Sequence, residues 1–200
     1  MPNISPRLQN GAILTFDPNT GVKLGTIMLQ YNPDSLTRSL KPQTVGDEPD
    51  RTEILRLKGP PIETLKCDLE IDATDQLAAA DPTATSLGIQ PQLALLELLL
   101  YPSSTVLTIN EVLSLLGTIE ILPMETALTV FAWSKSRVTP VRITDLSITE
   151  EAFDVNLNPI RAKVSLGMRV LSVNDVGFLS PAGAMYMIYQ TTKEALAQRA

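Results

Sequence analysis

From Pro159 to Val170 the chain alternates without a break. Ile160, Ala162, Val164, Leu166, Met168 and Val170 hold one parity, and Arg161, Lys163, Ser165, Gly167 and Arg169 hold the other. A two-residue period of this kind fits an extended strand with one buried face, because a helix would scatter both sets around its surface. At about 3.3 Å per residue the strand runs about 40 Å, roughly twice the usual length. Just before it, "DVNLNP" carries Asp, two Asn and Pro, which is turn chemistry. Upstream, "VRITDLSITEEAF" supplies an antiparallel partner, its alternation slipping between Ile143 and Leu146 as a β-bulge makes it. The result is a long hairpin. With Phe153 set opposite Pro159, Glu151 falls opposite Arg161 as a cross-strand ion pair.

More strands follow from the same pattern. "GAILTFDPNTGVKLGTIMLQYNP" reads as a hairpin turning through Asp17-Pro18-Asn19-Thr20-Gly21. "RLKGPPIETLKCDLEIDATD" reads as a strand, a kink at Gly59-Pro60-Pro61 and a second strand with Leu65, Cys67, Leu69 and Ile71 on one face. "ALTVFAW" is a strand by composition. A helix is expected over about 90–101, with Pro91 in its first turn and Pro102 at its exit. Another closes the chain over 180–200, where Ser180 caps and Met185, Ile188, Tyr189, Thr192 and Leu196 fall at helical spacing. Such a helix must be covered to be stable in water, so Met185, Ile188 and Tyr189 are expected inward and Lys193, Glu194 and Arg199 in solvent. The fold class is mainly β with flanking helices (α+β): a β-domain over 1–179 and a C-terminal amphipathic helix over 180–200.

Two stretches resist that pattern. "SLKPQTVGDEPDR", over 39–51, is a polar loop and a candidate contact arm, with Asp47, Glu48, Asp50 and Arg51 as its charged contacts. "TVLTINEVLSLLGTIEIL" is richly apolar without clean periodicity. It is expected to be buried between subunits, with Leu113 and Leu116 in the contact.

Composition excludes several function classes. The 200 residues contain no histidine and one cysteine, Cys67. The commonest general acid/base and zinc ligand is therefore missing, a Ser-His-Asp or Cys-His site is impossible within the chain, and no intrachain disulfide can form. Sixteen Lys plus Arg against twenty-two Asp plus Glu give a formal charge of −6, which disfavours nucleic acid or an anionic membrane as partner. No phosphate-cradling glycine motif occurs. The start shows no signal-peptide pattern, and the most apolar run, "LALLELLLY", is broken by Glu97 and closed by Pro102, too short to cross a bilayer. A soluble chain is expected.

Individual candidates favour structure over chemistry. Glu150, Glu151 and Asp154 resemble a carboxylate pair for glycosidase-type acid/base work, yet they crowd a turn, where carboxylates serve solvation and capping. Asp72 and Asp75 lack the further acidic ligands and central glycine of a calcium loop. Arg161, Lys163 and Arg169 read as a solvated strand face, with an intersubunit or lumen-facing surface as the alternative. Phe131 and Trp133 read as core, and Cys67 as a buried inert thiol. No catalytic residue, metal site or cofactor is expected.

The stretches "YNPDSLTRSL", "RLKGPPIETLKCDLEIDATD", "RVTPVRITDLSITEEAFDVNLNPIRAKVSLGMRVL" and "YQTTKEALA" together resemble the tube-protein-like hub or adaptor subunits of extracellular contractile injection systems, the phage-tail-like particles of bacteria. The "ITEEAFDVNLNPIRAKV" hairpin beside "NPDSL" is the most specific part. The resemblance implies a phage tail-tube-like β-barrel or sandwich protomer, closing into a sixfold ring around a channel and joining the inner tube to the spike at the baseplate hub. An inner-tube or tube-initiator ring is the alternative, and a particle-associated carboxylate-dependent hydrolase a more distant one. Implied partners are further copies of the chain in a homohexamer, the tube or tube-initiator ring, the spike and other baseplate subunits. Synthesis in the bacterial cytoplasm is implied, followed by incorporation into the particle. Met185, Ile188, Tyr189, Arg161, Lys163 and Arg169 would join Leu113, Leu116 and the polar loop as contacts. Many relatives continue into a peptidoglycan-binding LysM module, which does not follow here, so glycan binding is not carried over.

Overall fold

The computed structural model describes residues 10–44, 55–115 and 126–200. Asp47, Glu48, Asp50, Arg51 and Leu116 lie outside them. In chain order the elements are β1 (Ala12–Phe16), β2 (Lys23–Met28), β3 (Leu36–Thr44), β4 (Leu57–Asp72), α1 (Thr74–Ala78), α2 (Pro82–Leu87), α3 (Gln90–Glu97), α4 (Ser104–Leu115), β5 (Leu128–Ser134), β6 (Arg137–Phe153), β7 (Pro159–Val170), α5 (Val173–Val176) and α6 (Pro181–Ala197). The strands form one seven-stranded sheet in the order β2-β1-β5-β6-β7-β4-β3, antiparallel throughout. The fold is thus mainly β with flanking helices. The sheet is open, and among the described residues β2 and β3 are its two edges.

The β6–β7 hairpin is its spine. Ala162, Val164, Leu166, Met168 and Val170 are all buried, as their shared parity requires. They meet Leu65, Cys67, Leu69 and Ile71 of β4 in the main core, which Phe131, Ile13 and Leu93 and Leu96 of α3 complete. Each large aliphatic side chain removed from water contributes about 1.5–3 kcal/mol, so these three strands dominate the stability. Across the bulge, Ile143 faces Met168 and Asp145 faces Gly167, with Thr144 as the extra residue. The inward parity consequently passes from Val141 and Ile143 to Leu146 and Ile148. Gly167 makes room for this, since a Cβ there would stand 3.1 Å from the Asp145 Cβ.

Phe153 does face Pro159, but the ion pair expected from that register is displaced. A second bulge puts Ala152 opposite Arg161 and leaves Glu151 as the extra residue. Glu151 turns to Lys163 instead, its Oε1 accepting from Nζ at 2.8 Å.

Three further expectations are corrected. The kink at Gly59-Pro60-Pro61 does not divide β4, which is one strand of 16 residues. The two prolines lie where the ladder to β3 is irregular and before the ladder to β7 begins at Thr64, so neither owes an N–H to a neighbour. The Pro60 carbonyl accepts from Gln43 Nε2 at 3.1 Å. Residues 39–44 belong to β3 and not to a polar loop, and the rest of the expected loop, 45–51, lies outside the described residues. The helix expected over 90–101 ends at Glu97, and residues 98–100 are turn. α4, which the sequence left unassigned, is a helix of 12 residues none of which is buried.

Although the ladder is open, the ends of β2 and β4 are tied. The Gln30 side chain donates Nε2 to the Asp72 carbonyl at 2.6 Å and accepts the Asp72 amide at 3.0 Å, reproducing two strand bonds with one side-chain amide. β3 stops pairing with β4 at Cys67, so this edge of Asp72 would otherwise lack a partner.

Candidate assembly surface

Outward-facing residues of β3, β4, β7 and β6 make a broad polar surface. Across neighbouring strands Thr37, Lys66 and Gly167 fall in one row, Asp68, Ser165 and Ser147 in the next, and Glu70, Lys163 and Thr149 in the third. The three basic residues singled out on β7 share this face, and each is ion-paired. Arg161 places Nη2 2.6 Å from Asp72 Oδ2, with Glu70 at 3.8 Å. Lys163 holds Glu151, and Arg169 Nη2 donates to Asp175 Oδ1 at 2.6 Å. Bonds from Thr74, and then from Arg161, keep the Asp72 carboxyl below the usual carboxylate range. The Asp72 bond raises the Arg161 guanidinium further, and the Glu151 bond raises Lys163. Asp72 is committed to Arg161 and to the backbone amide of Thr74, which it accepts at 2.6 Å. Among the described residues no three His, Cys, Asp or Glu side chains gather as a metal site needs.

The carboxylates of the hairpin turn do not form an acid/base pair. Asp154 folds back on its own loop, accepting the Asn156 amide at 2.7 Å, the Asn158 amide at 2.8 Å and Asn158 Nδ2 at 2.8 Å. Asn158 through its side chain and amide, with Asn156, holds the Asp154 carboxyl below its ordinary value. Asn158 Nδ2 also reaches the Ser86 carbonyl, anchoring the tip to α2. The loop so fixed exposes 98% of Val155 and 77% of Leu157. Leu157 has φ +65°, a left-handed conformation costing about 1 kcal/mol for a side chain with a Cβ.

α6 docks as expected, but its stripe is rotated. Ala182, Tyr186 and Tyr189 are buried and Met185 is partly so, whereas Ile188 is 67% exposed. Tyr186 enters the main core, while Ala182 and Met185 join Leu128 and Val130 in a second, smaller cluster. The reason for the rotation is Glu63. This carboxylate lies on the inward parity of β4, only 3% exposed, and needs donors. Tyr189 donates its hydroxyl at 2.8 Å, Lys193 Nζ stands 3.6 Å away and Arg38 Nε 3.8 Å away. Lys193 also lies 4.2 Å over the Tyr189 ring, so it is not in free solvent as expected, whereas Glu194 and Arg199 are exposed. Burial, and then the Glu63 bond, push the Tyr189 phenol up to about 12. Cys67 is buried, which pushes its thiol up to about 11. Phe131 is fully buried and stacks on the partly buried Trp133 at 5.9 Å between centroids.

Sequence reasoning missed the Glu63 clasp and the apolar tip. Both had a signal: an acid in step with Leu65 and Cys67, and valine and leucine inside "DVNLN". Uncovered apolar surface is also found on α4, at Leu107, Ile109, Val112 and Leu115, with Leu113 partly buried, and on β2, at Leu24 and Met28. No helix among the described residues is long and apolar enough to cross a membrane. The chain matches no protein-family model and no curated protein.

Proposed function

We propose that this chain is a structural ring subunit of a contractile injection particle, joining the inner tube to the spike at the baseplate hub. The observation that carries the reading is α4, a 12-residue apolar helix with no buried residue, on a chain whose sheet keeps two open edges among the described residues. Exposed strand edges and apolar helices invite aggregation unless neighbours cover them, and ring closure covers both at once. The ion-paired polar sheet face suits a channel lining, since pairing Arg161, Lys163 and Arg169 with carboxylates leaves little net field to trap a passing chain. The finer identity, hub rather than tube ring, rests on the resemblance of the hairpin and of "NPDSL". Co-expression with candidate tube and spike subunits, followed by light scattering, tests it. A stable complex with both supports the hub. Binding to tube subunits alone favours the tube-initiator ring, and binding to neither refutes the assignment.

A further inference from the structure

We propose that the tip of the β6–β7 hairpin is a prong that seats in an apolar cavity of a second copy of this chain, so that each protomer hooks the next. The prong is prepared for contact. Asp154 and Asn158 lock its backbone, Val155 and Leu157 project from it into solvent, and the turn holds Leu157 at a positive φ unfavourable for leucine although its side chain is 77% exposed.

The socket lies between the ends of β2 and β4 and helix α3, a cavity of about 250 Å³ lined by Ile27, Leu29, Leu69, Ile71, Leu95 and Leu96. That volume is below the roughly 300–1,000 Å³ of ordinary ligand pockets and suits inserted aliphatic side chains. Gln92 also lines the cavity, and its Oε1 is buried without a hydrogen-bond partner among the described residues, an arrangement that favours an incoming donor. Asn156, between Val155 and Leu157, brings an amide donor with the apolar pair. A second copy is the favoured occupant because one chain carries both halves. Hook and socket also sit at the same end of the sheet, since Asp72, which ends β4, pairs with Arg161 at the start of β7. A head-to-tail contact between two different patches at one height repeats around a rotation axis and can close a ring. The proposal rests on the ring reading for the identity of the neighbour.

Three variants test it. Leu157→Gly deletes the knob while relieving the positive φ, so it should fold with an unchanged or higher melting temperature and weaken self-association by about tenfold or more. Val155→Cys and Leu95→Cys chains, mixed and oxidised, should form a disulfide-linked dimer that neither forms with wild type. The buried Cys67 does not compete. Rings that persist in Leu157→Gly, with no mixed disulfide, would overturn the prong and leave the ring standing. Cross-linked open chains without closed rings would uphold the prong and refute the ring. Monomers that neither associate nor cross-link would overturn both.

Discussion

Tyr189 and Glu63 show how a single buried charge orients a whole helix. Replacing Tyr189 with Phe removes the donor and leaves a buried carboxylate short of a hydrogen bond, at a cost of about 1–3 kcal/mol measurable by urea unfolding. In a spectroscopic titration of the folded protein the Tyr189 phenolate should form only near pH 12. Its folded value lies above the unfolded one, so the associated stability is complete below about pH 10 and lost as pH rises through the folded value. Asp72 and Asp154 work in the opposite sense. Both are held below their unfolded values, so they stabilise above about pH 4, and that stability disappears as pH falls through their folded values. Asp154→Asn should flatten the acid limb of a melting-temperature profile; an unaltered limb would show that the tip is not built on that carboxylate. These residues were only partly legible. Glu63 shares the parity of Leu65 and Cys67, a signal that was missed, and its three partners come from β3 and α6, which no local pattern announces.

Among the elements, β6 and β7 carry the fold. Leu166→Ala, at the centre of the hairpin, should cost about 2–5 kcal/mol in chemical denaturation, because close-packed neighbours relax only partly into the space. α4 should behave in the reverse way. Val112→Asp with Leu115→Asp should shift monomer stability by no more than about 0.5 kcal/mol and sharply reduce association. The strands were legible because alternation is a strong signal where one face is buried, and even the bulge at Thr144 left its mark as a slip of parity. α4 was not, because a helix apolar on most sides has no stripe for periodicity to find. α2 and α5 depend instead on caps: Asp81 accepts two first-turn amides of α2, and Ser172 and Asp175 form a capping box on α5. α6 was legible as a helix but not in its rotation, which Glu63 sets from a distant strand.

At the scale of the molecule, the chain buries its core and leaves apolar surface exposed among the described residues. β2 and β3 are unpaired on their outer sides among the described residues, α4 is uncovered, and the hairpin tip projects two apolar side chains. Such surfaces make sense together if the folded unit is a piece of a larger symmetric body. Only the resemblance points to such a body, since alternation specifies a strand and its buried face but not what lies beyond its edge. The most direct measurement is electron microscopy of the purified chain, alone at high concentration and with its stacking partners. Class averages showing closed sixfold rings with an open centre are predicted. A population of single protomers under both conditions, or rings of fivefold or twofold symmetry, would contradict the account.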